Sequence, residues 1–379
     1  MERRDGLHVI AESAAVPAAM APRRFIFVLE QTQGHVAHAR NLERLIASDL
    51  RFEATVIPVP QSTGLVRGLP LLGSWSFHAS RTTRAAIKRS LRQERPDALF
   101  IHTQVASLLT TDIMRAIPTV ISLDATPKNY DEMGAGYRHR VQHPAQERFK
   151  TLVNRRAFEA ARAFAPWSTW AADSLVRDYG IDRQRIRVVR PGVDLARFRP
   201  RRLPRRDGPT RVLFVGGDFE RKGGGDVLHA MARVCDRAEL HAVTSSEVTR
   251  IPAGVRCHVY RDLAPHTPKL IELFQQADLF VMPTRSECYG LVIPEAMACG
   301  LPVISSSIGA IPELIRDGVN GYLVPPSSPE LLAGAIERLV DDERMRVAMG
   351  AEGLATARRE HDVEASYDAI VGLLSGLVP

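Results

Sequence analysis

The sequence predicts an α/β fold made of two doubly wound parallel-sheet domains. Three observations carry that prediction. The chain has 379 residues, too many for one ordinary core at ~100–200 residues per domain. Short apolar runs alternate with amphipathic stretches, the pattern of parallel strands wrapped by helices. That pattern breaks once, in a stretch rich in Arg and Pro, and then restarts.

The elements follow in order. Residues 1–22 include Arg3, Arg4 and an Ala-rich run interrupted by Glu12, so they are expected to form a disordered leader rather than a signal peptide. Phe25–Leu29 is a continuous β-rich apolar run and reads as a buried strand. A polar loop, Glu30 to His35, leads to helical spacing from His38 to Ser48. Phe52–Val59, Ala98–Ile101 and Thr119–Leu123 read as further strands, with a helix over Arg81–Arg95. Arg187–Val189 is expected to be another short strand. Residues 201–210 are read as the linker, because Pro and like charge resist packing. Beyond it come strands at Arg211–Val215, Glu239–Val243, Val255–Tyr260, Leu279–Met282 and Pro302–Ser305. This divides the chain into domains at 23–200 and 211–360, with a last helix within 361–379.

Composition excludes several classes. Hydrophobic residues make up 45% and charged residues 25%, a globular balance and not that of a disordered or fibrous chain. No run approaches the ~20 apolar residues that span a bilayer. Four cysteines, none in a CxxC, disfavour a disulfide framework or structural zinc, and a reducing cytoplasm fits. The net charge of +7 is unevenly spread. Residues 1–210 carry 34 basic and 20 acidic side chains, and residues 211–379 carry 16 and 23. The first half is therefore fitted to an anionic partner or simply has an Arg-rich solvated surface.

Chemistry is sought in loops after strands, since parallel sheets place ligands beyond the carboxyl ends of their strands. The apolar Leu279–Met282 is broken by Pro283, and Glu287 then falls in a loop before Gly290. Pro294 suits a first helical position, so a helix is expected from there, with Glu295 in its first turn. Each carboxylate can accept two hydroxyl hydrogen bonds, which suits a sugar or a ribose. The run Phe214–Gly224 joins a strand to a Gly-rich turn holding Gly216, Gly217, Arg221 and Lys222, the makings of a phosphate cradle. Neither HExxH nor DxD occurs, and no metal is expected.

Glu287 and Glu295, with Gly290, Ala296, Met297, Gly300, Pro302 and Val303 around them, resemble the Glu-x7-Glu motif of the retaining glycosyltransferases of family 4. Gly309–Ile315 and Asp317–Val324 resemble the same family, and the agreement covers residues ~187–345. The resemblance implies a GT-B fold: two Rossmann-like domains facing across a cleft, the first binding the acceptor and the second the nucleotide-sugar. It implies that the last helix returns to the first domain. It assigns Glu295 to ribose hydroxyls, Glu287 to the transferred sugar, and the backbone of Cys288, Tyr289, Gly290 and Leu291 to the sugar and diphosphate. Lys222 matches the family's phosphate-binding Lys. The Arg usual after the first Gly is replaced by Gly217, leaving Arg221 as the second cation. Gly34 matches the first β–α loop, and His35 and His102 are further polar candidates for the acceptor. Where most members have a His after the fourth strand, this chain has Asp124.

The implied activity is metal-independent, retaining transfer of a hexose from a nucleotide-diphosphate sugar to a glycan or lipid-linked acceptor, as in cell-envelope polysaccharide or glycolipid synthesis. The donor is a substrate and no cofactor is implied. The basic residues Arg81 to Arg95, and Arg138 to Arg162 with Phe149, Leu152, Val153 and Phe158 among them, would suit an anionic membrane face. The expected location is cytoplasmic, with peripheral attachment to the inner face of the membrane. A nucleotide-sugar epimerase of the same fold is one alternative. A nucleic-acid-binding protein is another, but no helix-turn-helix or stacking motif supports it, and no nucleic acid is expected.

Overall fold

The computed structural model describes residues 22–32, 34–60, 75–134, 144–200, 208–261 and 263–378. Residues 1–21 of the expected leader, most of the expected linker, and Arg138, His139, Arg140 and His143 of the basic cluster lie outside the described residues.

The first sheet is built from β1 (Arg23–Gln31), β2 (Phe52–Pro60), β3 (Ala98–His102), β4 (Thr119–Leu123) and β5 (Ala163–Pro166). Between them run α1 (His35–Ser48), α2 (Trp75–Ser90), α3 (Thr111–Ala116), α4 (Pro127–Glu132) and α5 (Pro144–Ala160), and α6 (Thr169–Tyr179) follows β5. All pairings are parallel, in the order β2-β1-β3-β4-β5. Alternation along β1 loads both faces. Phe25, Phe27 and Leu29 join the core shared with α1, while Ile26 and Val28 join the core on the opposite face.

The second sheet holds β6 (Thr210–Val215), β7 (Ala238–Val243), β8 (Cys257–Tyr260), β9 (Leu279–Met282), β10 (Val303–Ser306) and β11 (Gly321–Val324). Its helices are α7 (Gly224–Met231), α8 (Pro268–Gln276), α9 (Val292–Ala298), α10 (Ile311–Leu314), α11 (Pro329–Asp341), α12 (Glu343–Glu360) and α13 (Val363–Ser375). The order is β11-β10-β9-β6-β7-β8, again all parallel. In both sheets the chain reverses its direction of strand addition beside the first strand, between β1 and β3 and between β6 and β9. Those switch points open crevices at the carboxyl ends of the strands.

Helix α13 leaves the second sheet and packs on the first. Val363, Tyr367, Ile370, Val371 and Leu374 enter the core of Phe25, Phe27 and Phe100, and Tyr367 Oη donates to Asp49 Oδ2 at 3.0 Å. The crossing is tight: a Cβ on Gly192 would lie 2.2 Å from the Val363 Cα.

Several elements differ from the sequence reading. Arg187–Val189 is not a strand: Arg187 N and Val189 N donate to Phe164 O and Pro166 O, but the segment is not laddered into the sheet. Strands β5 and β11 are additions to the expected set. Helix α1 begins at His35 rather than His38, because the Thr32 carbonyl already accepts from His35 N at 2.9 Å. The helix over Arg81–Arg95 is displaced to Trp75–Ser90, where Ala79, Thr83 and Ile87 form the buried stripe. Helix α9 starts at Val292, so Pro294 is its third residue; its missing N–H falls among the four that no helix can satisfy.

Candidate active site at the interdomain cleft

Both switch points open into one cavity of about 660 Å³ between the two sheets. The second domain supplies most of its polar wall. Beyond β6, Gly217 O accepts from Thr244 Oγ1 and Ser246 Oγ, both at 3.2 Å, which folds the glycine turn against the end of β7. Gly223 closes that turn with φ +81°, and a Cβ there would lie 2.1 Å from Pro283 O. Only glycine meets both conditions, and the geometry that follows brings Lys222 and Arg221 to the cavity wall.

Lys222 Nζ is in contact with Glu287 Oε2. Burial first, and the neighbouring Arg221 guanidinium second, push the Lys222 ammonium down to about 7. Cys288 and the Asp218 carboxylate oppose that shift. Arg221 is anchored by Nη1 donating to Ser286 O at 2.7 Å. The Glu287 loop is itself pinned. Ala310 N donates to Cys288 O at 2.9 Å, and Gly309, at φ +56°, lets the backbone after β10 approach Glu287 O where a Cβ would lie 2.2 Å away.

Glu295 lines the far end of the cavity from α9 and is buried. His266 Nε2 stands 3.1 Å from its Oε1. The His266 backbone has φ +62°, rare for a side chain of that size. Its loop is tied twice to the 23–200 segment: Arg197 Nη2 donates to His266 O at 2.6 Å, and Arg40 Nη1 of α1 donates to Pro265 O at 2.9 Å.

The first domain contributes Gly34, His35, Asp124, Tyr130 and Trp167. His35 opens α1 and its Nδ1 meets His102 Nε2 at 3.0 Å, while its Nε2 lies 3.7 Å from Asp124 Oδ2. His102 ends β3 in full burial, stacked on Trp167 with ring centroids 5.1 Å apart. Burial holds His102 well below the usual imidazole range and pushes the Asp124 carboxyl up. Trp167 also meets Tyr289 edge-on at 5.6 Å, joining the two domains by an aromatic contact.

Of the residues singled out from the sequence, Gly34, His35, Asp124, Gly216, Gly217, Arg221, Lys222, Glu287, Tyr289, Gly290, Leu291 and Glu295 line this cavity. Cys288 and His102 do not. Cys288 is buried, its N–H donating to Glu287 Oε1 at 3.1 Å, and His102 sits behind His35. Sequence reasoning missed Tyr130, Trp167, Thr244, Ser245 and His266. The polar trio Thr244, Ser245 and Ser246 directly after a strand was a usable signal for one of these groups; His266 had none.

Two family models match the chain. Residues 21–197 match Glycosyltransferase Family 4, and residues 209–342 match Glycosyl transferases group 1. Two D-inositol 3-phosphate glycosyltransferases are similar in sequence. That of Geodermatophilus obscurus is 37% identical over 211 residues, 49% of this chain and 47% of the relative. That of Pseudarthrobacter chlorophenolicus is 33% identical over 268 residues, 63% of this chain and 64% of the relative. The chain thus spans about half to two thirds of the length of these relatives. Among solved structures, sucrose-phosphate synthase of Thermosynechococcus elongatus superposes with a TM-score of 0.72 at 20% identity, over 94% of this chain and 99% of that one. Anabaena HepE in complex with UDP superposes with a TM-score of 0.70 at 17% identity, over 93% of this chain and 100% of that one. At these identities the structural likeness speaks to the two-domain GT-B fold.

Proposed function

The chain belongs to the family 4, group 1 glycosyltransferases, and from that premise we propose that it transfers a hexose from a nucleoside-diphosphate sugar to an acceptor hydroxyl with retention of anomeric configuration. The observation that carries this reading is the convergence of two cations and two carboxylates on one interdomain cavity. Lys222 and Arg221 take the diphosphate, Glu287 the sugar hydroxyls, and Glu295 the ribose hydroxyls. Before donor binding, Lys222 and Glu287 are in contact. The arriving diphosphate takes the ammonium, and the sugar's hydroxyls replace it at Glu287, so neither charge is left unpaired.

In the reaction the bond from the anomeric carbon to the β-phosphate oxygen breaks. The acceptor oxygen forms its bond to that carbon on the same face, and its proton passes to the departing phosphate oxygen. Lys222 and Arg221 stabilise the charge that grows on the leaving group. Asp124, across the cavity, accepts a sugar hydroxyl and, ionised, faces the positive charge developing at the anomeric carbon. Two contacts join the domains across the cleft, Arg40 to Pro265 O and Ser286 Oγ to Met133 O at 3.1 Å, and a closed cleft would limit hydrolysis of the donor.

The acceptor is read as a neutral glycan or lipid-linked glycan hydroxyl. Among the described residues, the first domain presents no Lys or Arg to the cavity, while Tyr130 and Trp167 offer aromatic faces. The relatives' name favours a second reading, an inositol phosphate. Peripheral attachment to an anionic membrane is supported by α5, where Phe149 and Leu152 are exposed beside Arg148 and Arg156. Among the described residues no helix is long and apolar enough to cross a membrane.

The test is a matrix of nucleotide-sugars against neutral glycans and inositol phosphates, scored by release of nucleoside diphosphate. Proton NMR of the product's anomeric coupling reads stereochemistry. An inverted product contradicts the mechanism, and preference for the phosphorylated acceptor overturns the acceptor reading.

A further inference from the structure

Away from the cleft, β7 and β8 bring together three side chains that nothing in the transfer reaction uses. Glu239 and His241 are two apart on β7, so they share a face of the sheet. His258 is the register partner of His241 on the parallel neighbour β8, which puts it on the same face. The three donor atoms lie within 4.8 Å of one another. Glu239 Oε1 is 3.1 Å from His241 Nε2, and Glu239 Oε2 is 3.7 Å from His258 Nε2.

We propose that Glu239, His241 and His258 form a structural site for a divalent transition metal of the zinc class. Bonds of ~2.0–2.2 Å to each ligand at tetrahedral angles require donor separations of ~3.3–3.6 Å. The two carboxylate–imidazole separations, one to each oxygen of Glu239, bracket that range, and small rotations of the carboxylate and of the half-exposed His258 bring one oxygen and both imidazoles into it. Two imidazoles and one carboxylate suit zinc, and less so calcium or magnesium, which take oxygen donors.

The surroundings fit a ligand role. Tyr260 Oη lies 2.9 Å from His241 Nδ1, so it can hold the imidazole in the tautomer whose Nε2 lone pair faces Glu239. Arg211 Nε donates to Glu239 Oε1 at 3.1 Å and orients the carboxylate, leaving Oε2 directed at His258. The open side of the cluster is at His258, giving an ion a path from solvent.

A bound ion would clamp β8, an edge strand that pairs with β7 on one side among the described residues, to the rest of the sheet. Strand β8 leads within six residues to His266, so the clamp also steadies the loop that reaches Glu295.

The experiment is calorimetric titration of the metal-free full chain with zinc chloride, with cobalt(II) absorption as a second readout. The proposal predicts one site, a raised unfolding midpoint, and cobalt bands of a low-coordinate nitrogen–oxygen set without thiolate charge transfer. His258→Ala, at an exposed position, should abolish all three while leaving the far-ultraviolet circular dichroism unchanged. Tyr260→Phe should weaken binding by ~10-fold. A Cys235→Ser, Cys257→Ser double variant should behave like the parent. Zinc binding that survives His258→Ala, or that disappears in the cysteine variant, overturns the proposal, as does a chain that takes up no ion.

Discussion

His266 Nε2 lies 3.1 Å from Glu295 Oε1 in a buried pair, and His266 reaches that position only by adopting a left-handed backbone. A residue so placed fixes the direction of the carboxylate proposed to grip ribose. His266→Ala should weaken binding of a ribonucleoside diphosphate by ~10-fold, the loss of about 1.4 kcal/mol that one charge-assisted hydrogen bond carries. A 2′,3′-dideoxy analogue, lacking the hydroxyls, should lose much less. Equal losses for both nucleotides would assign His266 to general packing instead.

Lys222 gives the site a pH dependence. Its ammonium is pushed down to about 7 in the free protein, and a bound diphosphate raises it. A group whose bound-state pKa is the higher one contributes affinity that is complete below its free-state value and fades above it. Diphosphate affinity should therefore be constant below pH ~7 and fall by up to ~10-fold per unit above it. Titrations at pH 8 in buffers of different ionisation enthalpy should reveal proton uptake. Binding without uptake would mean that Lys222 is fully charged before the ligand arrives.

Asp124 is proposed to face the reacting centre rather than the nucleotide. Asp124→Asn keeps the shape and removes the charge, so turnover should fall ~100-fold while donor affinity changes by no more than ~2-fold. A parallel loss of both would make Asp124 a donor-binding group.

Across the cleft, Glu313 of the second domain caps a helix of the first. Its Oε2 and Oε1 accept from Thr169 N at 2.9 Å and Trp170 N at 2.7 Å, while Ser168 Oγ accepts from Ala171 N at 3.1 Å. Glu313→Ala removes two acceptors from the first turn of α6 and should cost ~1 kcal/mol. Because the cap spans both domains, small-angle scattering should also show a larger radius of gyration. An unchanged radius would limit Glu313 to local capping.

How much of this was legible depended on the range over which each signal acts. Central strands such as Phe25–Leu29 and Leu279–Met282 are covered on both faces, so they appear as continuous apolar runs. Strand β5, Ala163–Pro166, is too short and too Ala-rich to declare itself, and Gly321–Val324 opens on a glycine pressed against Val303 O. Arg187–Val189 has strand composition but only borders β5. Glu287, Glu295 and Lys222 were readable because each sits beside its own local turn or helix. Tyr130 and Trp167 reach the cavity, and His266 reaches Glu295 behind its wall, through contacts far apart in sequence, which no local pattern encodes. The Glu239, His241 and His258 cluster likewise exists only once β7 and β8 are in register.

That the cleft is the donor site is tested most directly by calorimetric titration with a panel of nucleoside diphosphates and their sugars. The parent chain should bind at least one member, with Lys222→Ala and Glu295→Ala each abolishing detectable binding while retaining the parent's circular dichroism. Folded variants that bind the same nucleotide as tightly as the parent would contradict it.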